Sequence, residues 1–266
     1  MKTQSYQSKS PDAAGSIAYD AEENAVWQDL LVRQEKILPG RVCQAFLDGL
    51  DLLQLPSDCV PQLSDVSKHL DAATGFSVEA VPALITPLDF FSLLAQRKFP
   101  AATFLRRREH FDYLQEPDIF HEIFGHCPML TNPVYADFVQ RFGAQALAAG
   151  SDFIWQFQKL FWFTVEFGLI QTETGTRIYG AGIASSAGEA PYCLESEEAE
   201  HSPFDILTVL RTPYRIDIMQ PIYFVIEDCH QLYDLLVQDL LPIMREARRL
   251  GPLAPKFEPL SQEISA

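Results

Sequence analysis

Nothing in this 266-residue chain pairs its cysteines: Cys43, Cys59, Cys127, Cys193 and Cys229 are scattered, odd in number and without a Cys-x-x-Cys spacing. That pattern fits a reducing compartment better than a disulfide framework. No apolar run is long enough to span a bilayer, and the stretch 1–18, polar and rich in Ser, Gln and Ala, has no apolar core like that of a secretory signal. A cytoplasmic location is therefore expected. A Gly-rich phosphate loop, an internal repeat and low-complexity tracts are also missing. Basic residues are scarce, 20 Lys and Arg against 36 Asp and Glu, for a net charge of -16. An excess of that sign argues against nucleic acid and anionic membrane surfaces as partners, and favours solubility.

What is present is a composition 47% hydrophobic, enough to bury a substantial core. The expected division is a disordered N-terminus over 1–19, one domain over 20–250, and a Pro-containing tail over 251–266. Apolar periodicity predicts helices at 20–38, 42–53, 60–73, 88–98, 119–125, 133–149, 153–170 and 229–250. Pro82 and Pro87 make 76–87 a loop with short extended pieces, and strands are expected at 177–179 and 222–226. The fold class is mainly α with a small β component, which by itself names no reaction.

The most informative stretch runs Pro117-Asp118-Ile119-Phe120-His121-Glu122-Ile123-Phe124-Gly125-His126-Cys127-Pro128. Two histidines five positions apart are followed, forty residues after the second, by Glu166 in an oily helix whose same-face neighbours are Trp162, Phe163, Leu169 and Ile170. A carboxylate buried among such neighbours must be neutralised, paired with a distant cation such as an arginine or Lys159, or bound to metal. With the histidine pair it makes a two-histidine, one-carboxylate set that leaves one face of a metal open; with iron(II), that face is where oxygen is activated. The zinc peptidase signature instead spaces its histidines four apart. Five positions turn the side chains about 140° from each other on a regular helix. Gly125 and Pro128 suggest that the helix ends here, with His121 on its last turns and His126 beyond.

With those residues assembled, the chain resembles the aromatic amino acid hydroxylases, most closely the single-domain bacterial phenylalanine 4-hydroxylases. The matching stretches are Thr74-Gly75-Phe76, Glu116-Pro117-Asp118-Ile119 through His126, Trp162-Phe163-Thr164-Val165-Glu166-Phe167-Gly168, and Tyr179-Gly180-Ala181-Gly182 followed by Ser185-Ser186 and Gly188-Glu189. The likeness covers roughly 22–248. It implies that family's catalytic-domain fold, iron(II) on His121, His126 and Glu166, and L-phenylalanine, O2 and a tetrahydropterin as small-molecule substrates. By the same resemblance Phe90 stacks on the pterin, the backbone of Ala83, Leu84 and Ile85 lines its edge, Glu122 lies behind it, and Phe161 is close by. Arg106 becomes the clamp for the substrate carboxylate, with Arg107 and Arg108 left as surface charges. Tyr113, Trp162 and Phe167 shape the substrate side, and Gly182, Ser185 and Ser186 hold its amino acid end.

Leu114 stands where the animal enzymes carry a threonine, and Phe161 where they carry a tyrosine. The length leaves no room for their regulatory domain or tetramer-forming coiled coil, so a monomer or dimer without activation by amino acid is expected. Three other readings remain open: a tryptophan hydroxylase of the same family, a zinc hydrolase using His121, His126 and Glu122, and a non-catalytic binding protein with the same fold.

Overall fold

The structure, a computed structural model, describes residues 6–82 and 85–258. Helix α1 (Ala21–Ile37) opens on a reciprocal cap: Asp20 Oδ1 accepts from the Glu23 amide at 2.9 Å and Glu23 Oε2 accepts from the Asp20 amide at 2.8 Å. Its buried Val26, Trp27, Leu30 and Leu31 recur at helical spacing and lay one stripe on the core. Helices α2 (Gln44–Leu53) and α3 (Leu63–Thr74) follow. Strand β1 (Ser77–Val81) then occupies part of the expected loop and pairs in parallel with β2 (Lys98–Ala102) across α4 (Pro87–Ala95). The expected helix to 98 thus ends earlier, where Arg97 takes a left-handed turn (φ 57°) into β2.

A single turn at Arg108–His110 leads to a π-helical turn, His121–His126, continuous with α5 (Cys127–Leu130). Asn132 then caps α6 (Pro133–Ala149), its side chain accepting from the amides of Val134 and Tyr135. Next comes α7 (Ile154–Phe161), which widens into a second π-helical turn, Trp162–Glu166. The helix expected to reach 170 therefore stops four residues short. Leu169 and Ile170 belong instead to β3 (Leu169–Thr172), which forms a hairpin with β4 (Gly175–Ile178). Short helices α8 (Ala181–Ala184) and α9 (Glu189–Glu195), strand β5 (Glu200–Pro203), α10 (Ile206–Arg211) and β6 (Ile222–Ile226) complete a four-stranded sheet of order β4-β3-β6-β5. The expected terminal helix is two, α11 (Cys229–Leu235) and α12 (Leu241–Leu250). Pro242 fits the break, since without an amide hydrogen it is accommodated in the first turn of α12 but not in the interior of one continuous helix.

Aromatic rings fill the space between α4, α6, α7 and β2: Phe91, Phe142, Phe157 and Phe161 meet with ring centroids 5.3 to 6.3 Å apart. Residues 6–19 lie against the end of β2. Thr103, just past β2 and fully buried, donates its amide to Ser8 Oγ (3.1 Å) and its hydroxyl to Lys9 O (2.6 Å), and its carbonyl accepts from Tyr19 Oη (2.8 Å). Buried backbone groups at the end of a strand need partners, and this segment supplies them. Tyr6 stacks on Phe104 at 4.6 Å and its hydroxyl bonds His110 Nδ1. The five cysteines are free thiols, and among the described residues no helix is long and apolar enough to cross a membrane.

Candidate active site

Both segments that carry the proposed ligands are helices of enlarged bore. A five-residue spacing that fails on an α-helix comes close to one full turn when hydrogen bonds run from i to i+5, and such turns recur at functional sites. His121 and His126 therefore sit on one face of a continuous helix, rather than on a helix and the turn after it. In the second turn the Phe167 amide donates to Trp162 O, also five residues back, and Glu166 is the last residue before the chain leaves for β3.

The donors converge. His126 Nε2 lies 3.1 Å from His121 Nε2 and 3.1 Å from Glu166 Oε1, and His121 Nε2 lies 3.5 Å from Glu166 Oε2. One ligand atom from each residue falls within 4.8 Å of the others. Among the described residues the ion-pair partners of Glu166 are these two imidazoles, while Lys159 donates to Leu210 O. The distant-cation alternative for Glu166 is thus set aside. Lone pairs facing one another repel unless a cation lies between them. Ligand atoms each about 2.1 Å from one ion and roughly at right angles are about 3 Å apart, so the residues fit a divalent metal held on one face.

The protonation of His121 suits that use. Its Nδ1 is 2.9 Å from Ser185 Oγ, whose own hydroxyl donates to Ala181 O at 2.8 Å, so His121 must be the donor and its Nε2 carries the lone pair. Burial, aided by the charges of His126 and Arg106 and opposed by those of Glu166 and Asp118, pushes this imidazole down to about 4. It is neutral at ordinary pH, as a ligand must be. Burial would raise the Glu166 carboxyl, but the two imidazoles outweigh it and hold the group below its usual range. Glu122 is buried, and that burial, then the charges of Glu166 and Asp118, push its carboxyl well above the usual range.

Helix α8 lies against both π turns. A Cβ on Gly180 would meet Glu166 O at 2.4 Å, so that close approach requires glycine, and one on Gly125 would sit tightly against Ala181 O at 3.0 Å. That contact brings Ser185 under His121.

Arg106 is buried, and Asp118, fully buried, takes its guanidinium in a fork: Nε donates to Oδ2 at 2.8 Å and Nη2 to Oδ1 at 2.9 Å. Asp118 also accepts from the Arg106 amide at 3.0 Å and the His121 amide at 3.1 Å. Burial favours its neutral form, but Arg106 and these amides outweigh that and hold it below its ordinary value. The two Nη1 hydrogens lie outside the fork.

Phe90 is half-buried on α4 and meets Phe161 edge-on at 5.1 Å. Ile85 is half-buried, and Ala83 and Leu84 lie outside the described residues. Trp162 packs between Phe167 (4.5 Å) and Tyr214 (4.8 Å, stacked). A Cβ on Gly182 would touch the Phe167 ring at 3.0 Å. Tyr113 is exposed, with its hydroxyl donating to Ile216 O at 3.3 Å, and Ser186 Oγ accepts from the Glu189 amide at 3.1 Å.

Sequence reasoning passed over Asp118 and Phe99. Asp118 stood in the quoted motif, three residues before His121 and twelve after Arg106, but neither spacing marks it as their common partner. Phe99, whose ring lies 4.5 Å from that of His126, gave no signal beyond an apolar residue in a strand.

The sequence profile of the biopterin-dependent aromatic amino acid hydroxylases matches residues 1–262. The phenylalanine-4-hydroxylase of Vibrio cholerae is 51% identical over 97% of this chain and 89% of that protein. The phenylalanine hydroxylase structure from Legionella pneumophila superposes with a TM-score of 0.92 at 50% identity, covering 94% of this chain and 100% of that one. The Chromobacterium violaceum phenylalanine hydroxylase with bound oxidised Fe(III) does so at 0.87 and 43% identity, covering 92% and 89%.

Proposed function

Because the chain belongs to the biopterin-dependent aromatic amino acid hydroxylases, we infer that it hydroxylates L-phenylalanine at the para carbon to give L-tyrosine, consuming O2 and a tetrahydropterin. The observation that carries this reading is the convergence of His121, His126 and Glu166, whose ligand atoms lie within 4.8 Å of one another, a two-histidine, one-carboxylate set of the kind that leaves coordination positions to other ligands. Iron(II) would be held by His121, His126 and Glu166, and together with a reduced pterin it would supply the oxygen activation that the protein's own side chains cannot.

The protein's own groups bind, orient and exclude water. The Ser185 hydroxyl keeps the His121 proton on Nδ1 and so leaves Nε2 to the metal. Asp118 fixes the Arg106 fork and leaves the Nη1 hydrogens to meet the carboxylate of an amino acid, the anion a guanidinium grips best. Trp162, its faces taken by Phe167 and Tyr214, offers the ring an apolar edge beside Phe167, with Tyr113 toward the outer side. Phe90, Phe161 and Ile85 form the apolar side on which the pterin stacks, with Glu122 behind it. Gly182, Ser185 and Ser186 bring α8 close to the amino acid end.

The phenylalanine assignment draws on the Vibrio cholerae relative at 51% identity. The free thiols support a cytoplasmic location, and the assembly we propose is a monomer or dimer. Sedimentation at micromolar concentration tests the assembly. The deciding experiment is anaerobic iron(II) reconstitution, then phenylalanine, tetrahydropterin and air. One tyrosine per pterin oxidised is expected. Faster turnover of tryptophan overturns the substrate, and zinc-dependent hydrolysis without pterin-coupled oxygen uptake overturns the class.

A further inference from the structure

Glu189 opens α9 nearly buried, and burial pushes its carboxyl above the usual range, yet the chemistry above leaves it no part. Its Oε1 accepts from the Tyr223 hydroxyl on β6 and from the backbone amide of Gln220 at 2.8 Å. Gln220, 1% exposed, lies at the end of the connection between α10 and β6. Its Nε2 donates to Arg215 O at 2.8 Å and Ile218 O at 3.0 Å, within that connection. Both amide hydrogens are thereby committed, which settles which end of the side chain is oxygen. That oxygen accepts from Trp162 Nε1 at 3.2 Å.

The two kinds of contact on Trp162 constrain different motions. Phe167 on one side and Tyr214 on the other hold the indole plane, but stacked rings slide and turn against each other at little cost. A single hydrogen bond at the indole edge fixes rotation within the plane. Tyr214 belongs to the same connection that Gln220 ties together, so one glutamine holds both the stacking partner and the edge contact. Glu189 in turn holds the backbone of that glutamine.

We infer that Gln220 and Glu189 are positioning residues for ring hydroxylation, Glu189 fixing Gln220 and Gln220 fixing the rotation of Trp162, hence the seat of the substrate ring. This rests on Trp162 being a wall of that seat. Loss of the bond leaves the ring loosely placed, so pterin oxidation continues while less of it yields tyrosine.

The test uses the iron-loaded enzyme with three readouts: the phenylalanine KM, kcat for pterin oxidation, and tyrosine formed per pterin consumed. Gln220→Met is expected to raise KM about 5- to 10-fold, the scale of one hydrogen bond, and to lower the yield per pterin with kcat for pterin oxidation kept. Glu189→Leu should shift the same readouts in the same direction, while Glu189→Gln, which keeps a carbonyl acceptor for the Gln220 amide, should stay near wild type. Trp162→Phe added to Gln220→Met should cost little more than either alone, because both remove one shared contact. Gln220→Glu, which keeps an acceptor, is expected to fall between wild type and Gln220→Met. In the iron-free protein, Gln220→Met should shift the Trp162 part of the intrinsic fluorescence.

Effects that simply add, or a Gln220→Met enzyme with a lowered melting point but unchanged KM and yield, overturn the inference. A strong Trp162→Phe effect beside a silent Gln220→Met removes the relay alone. A silent Trp162→Phe removes the ring-wall reading and the relay with it.

Discussion

Ser185 touches no metal, but its hydroxyl decides which nitrogen of His121 is free to bind one. Ser185→Ala is expected to weaken iron retention about 10- to 100-fold, the range for loss of a group that orients a ligand. Chelator competition measures it, and unchanged retention would show that another contact sets the tautomer. The Arg106–Asp118 pair gives a pH-dependent expectation. The Asp118 carboxyl is held below its ordinary value in the folded state. Its contribution to stability is therefore complete above the unfolded value near ~3.9 and is lost as pH falls through the depressed folded value. Asp118→Asn should flatten that acid limb in urea unfolding. It should also cost about 3–5 kcal/mol at neutral pH, because Arg106 is left buried without its counter-charge. The three candidate ligands stood out in the chain because their types and spacing are rare, and the fold brings them together. Asp118 did not stand out, because an aspartate before a helix is usually a cap, and only the fold shows that Arg106 comes back to meet it.

Helices with a clear apolar stripe, such as α1 and α6, were legible, and the strand expected at 222–226 is β6 itself. The π turns were not. A periodicity of 3.6 presupposes the hydrogen-bond pattern, so a five-residue spacing read as a helix end, and Gly125 and Pro128 strengthened that reading. The end of the helix that carries Glu166 was hidden for another reason: Leu169 and Ile170 are as apolar as the helix before them, and membership of β3 depends on β6, where their partners Val225 and Ile226 lie 56 residues further on. Where the ladder of α7 changes period, the buried Thr164 hydroxyl donates to Leu160 O at 2.6 Å. Thr164→Val keeps the shape and removes that bond. A loss of about 1–2 kcal/mol is expected, seen as a melting midpoint lower by roughly 2–8 °C, and no change would mean that the backbone amides satisfy Leu160 alone.

Across the chain, one ion would join the π turn at His121–His126 to the one at Trp162–Glu166, and an acidic protein of charge -16 gains from a buried cation. Chelator-stripped protein should melt lower than protein with anaerobic iron(II). At a thousandfold excess over Kd the gain is about 4 kcal/mol, and at ~2–4 °C per kcal/mol for domains slightly smaller than this one the midpoint should rise by at least several degrees. His126→Ala should abolish the iron-induced rise without removing the fold. A full rise in that variant would place the ion elsewhere.

The placement of the three donors also bears on how the chain matures. His121 and His126 share one turn, but Glu166 is brought to them by the docking of α6 on α7 and of α8 against both turns. A half-built chain offers two imidazoles and little else. Iron capture during refolding should then lag the recovery of helical signal and coincide with burial of the aromatic cluster, so that the metal serves as a timestamp for the last act of assembly.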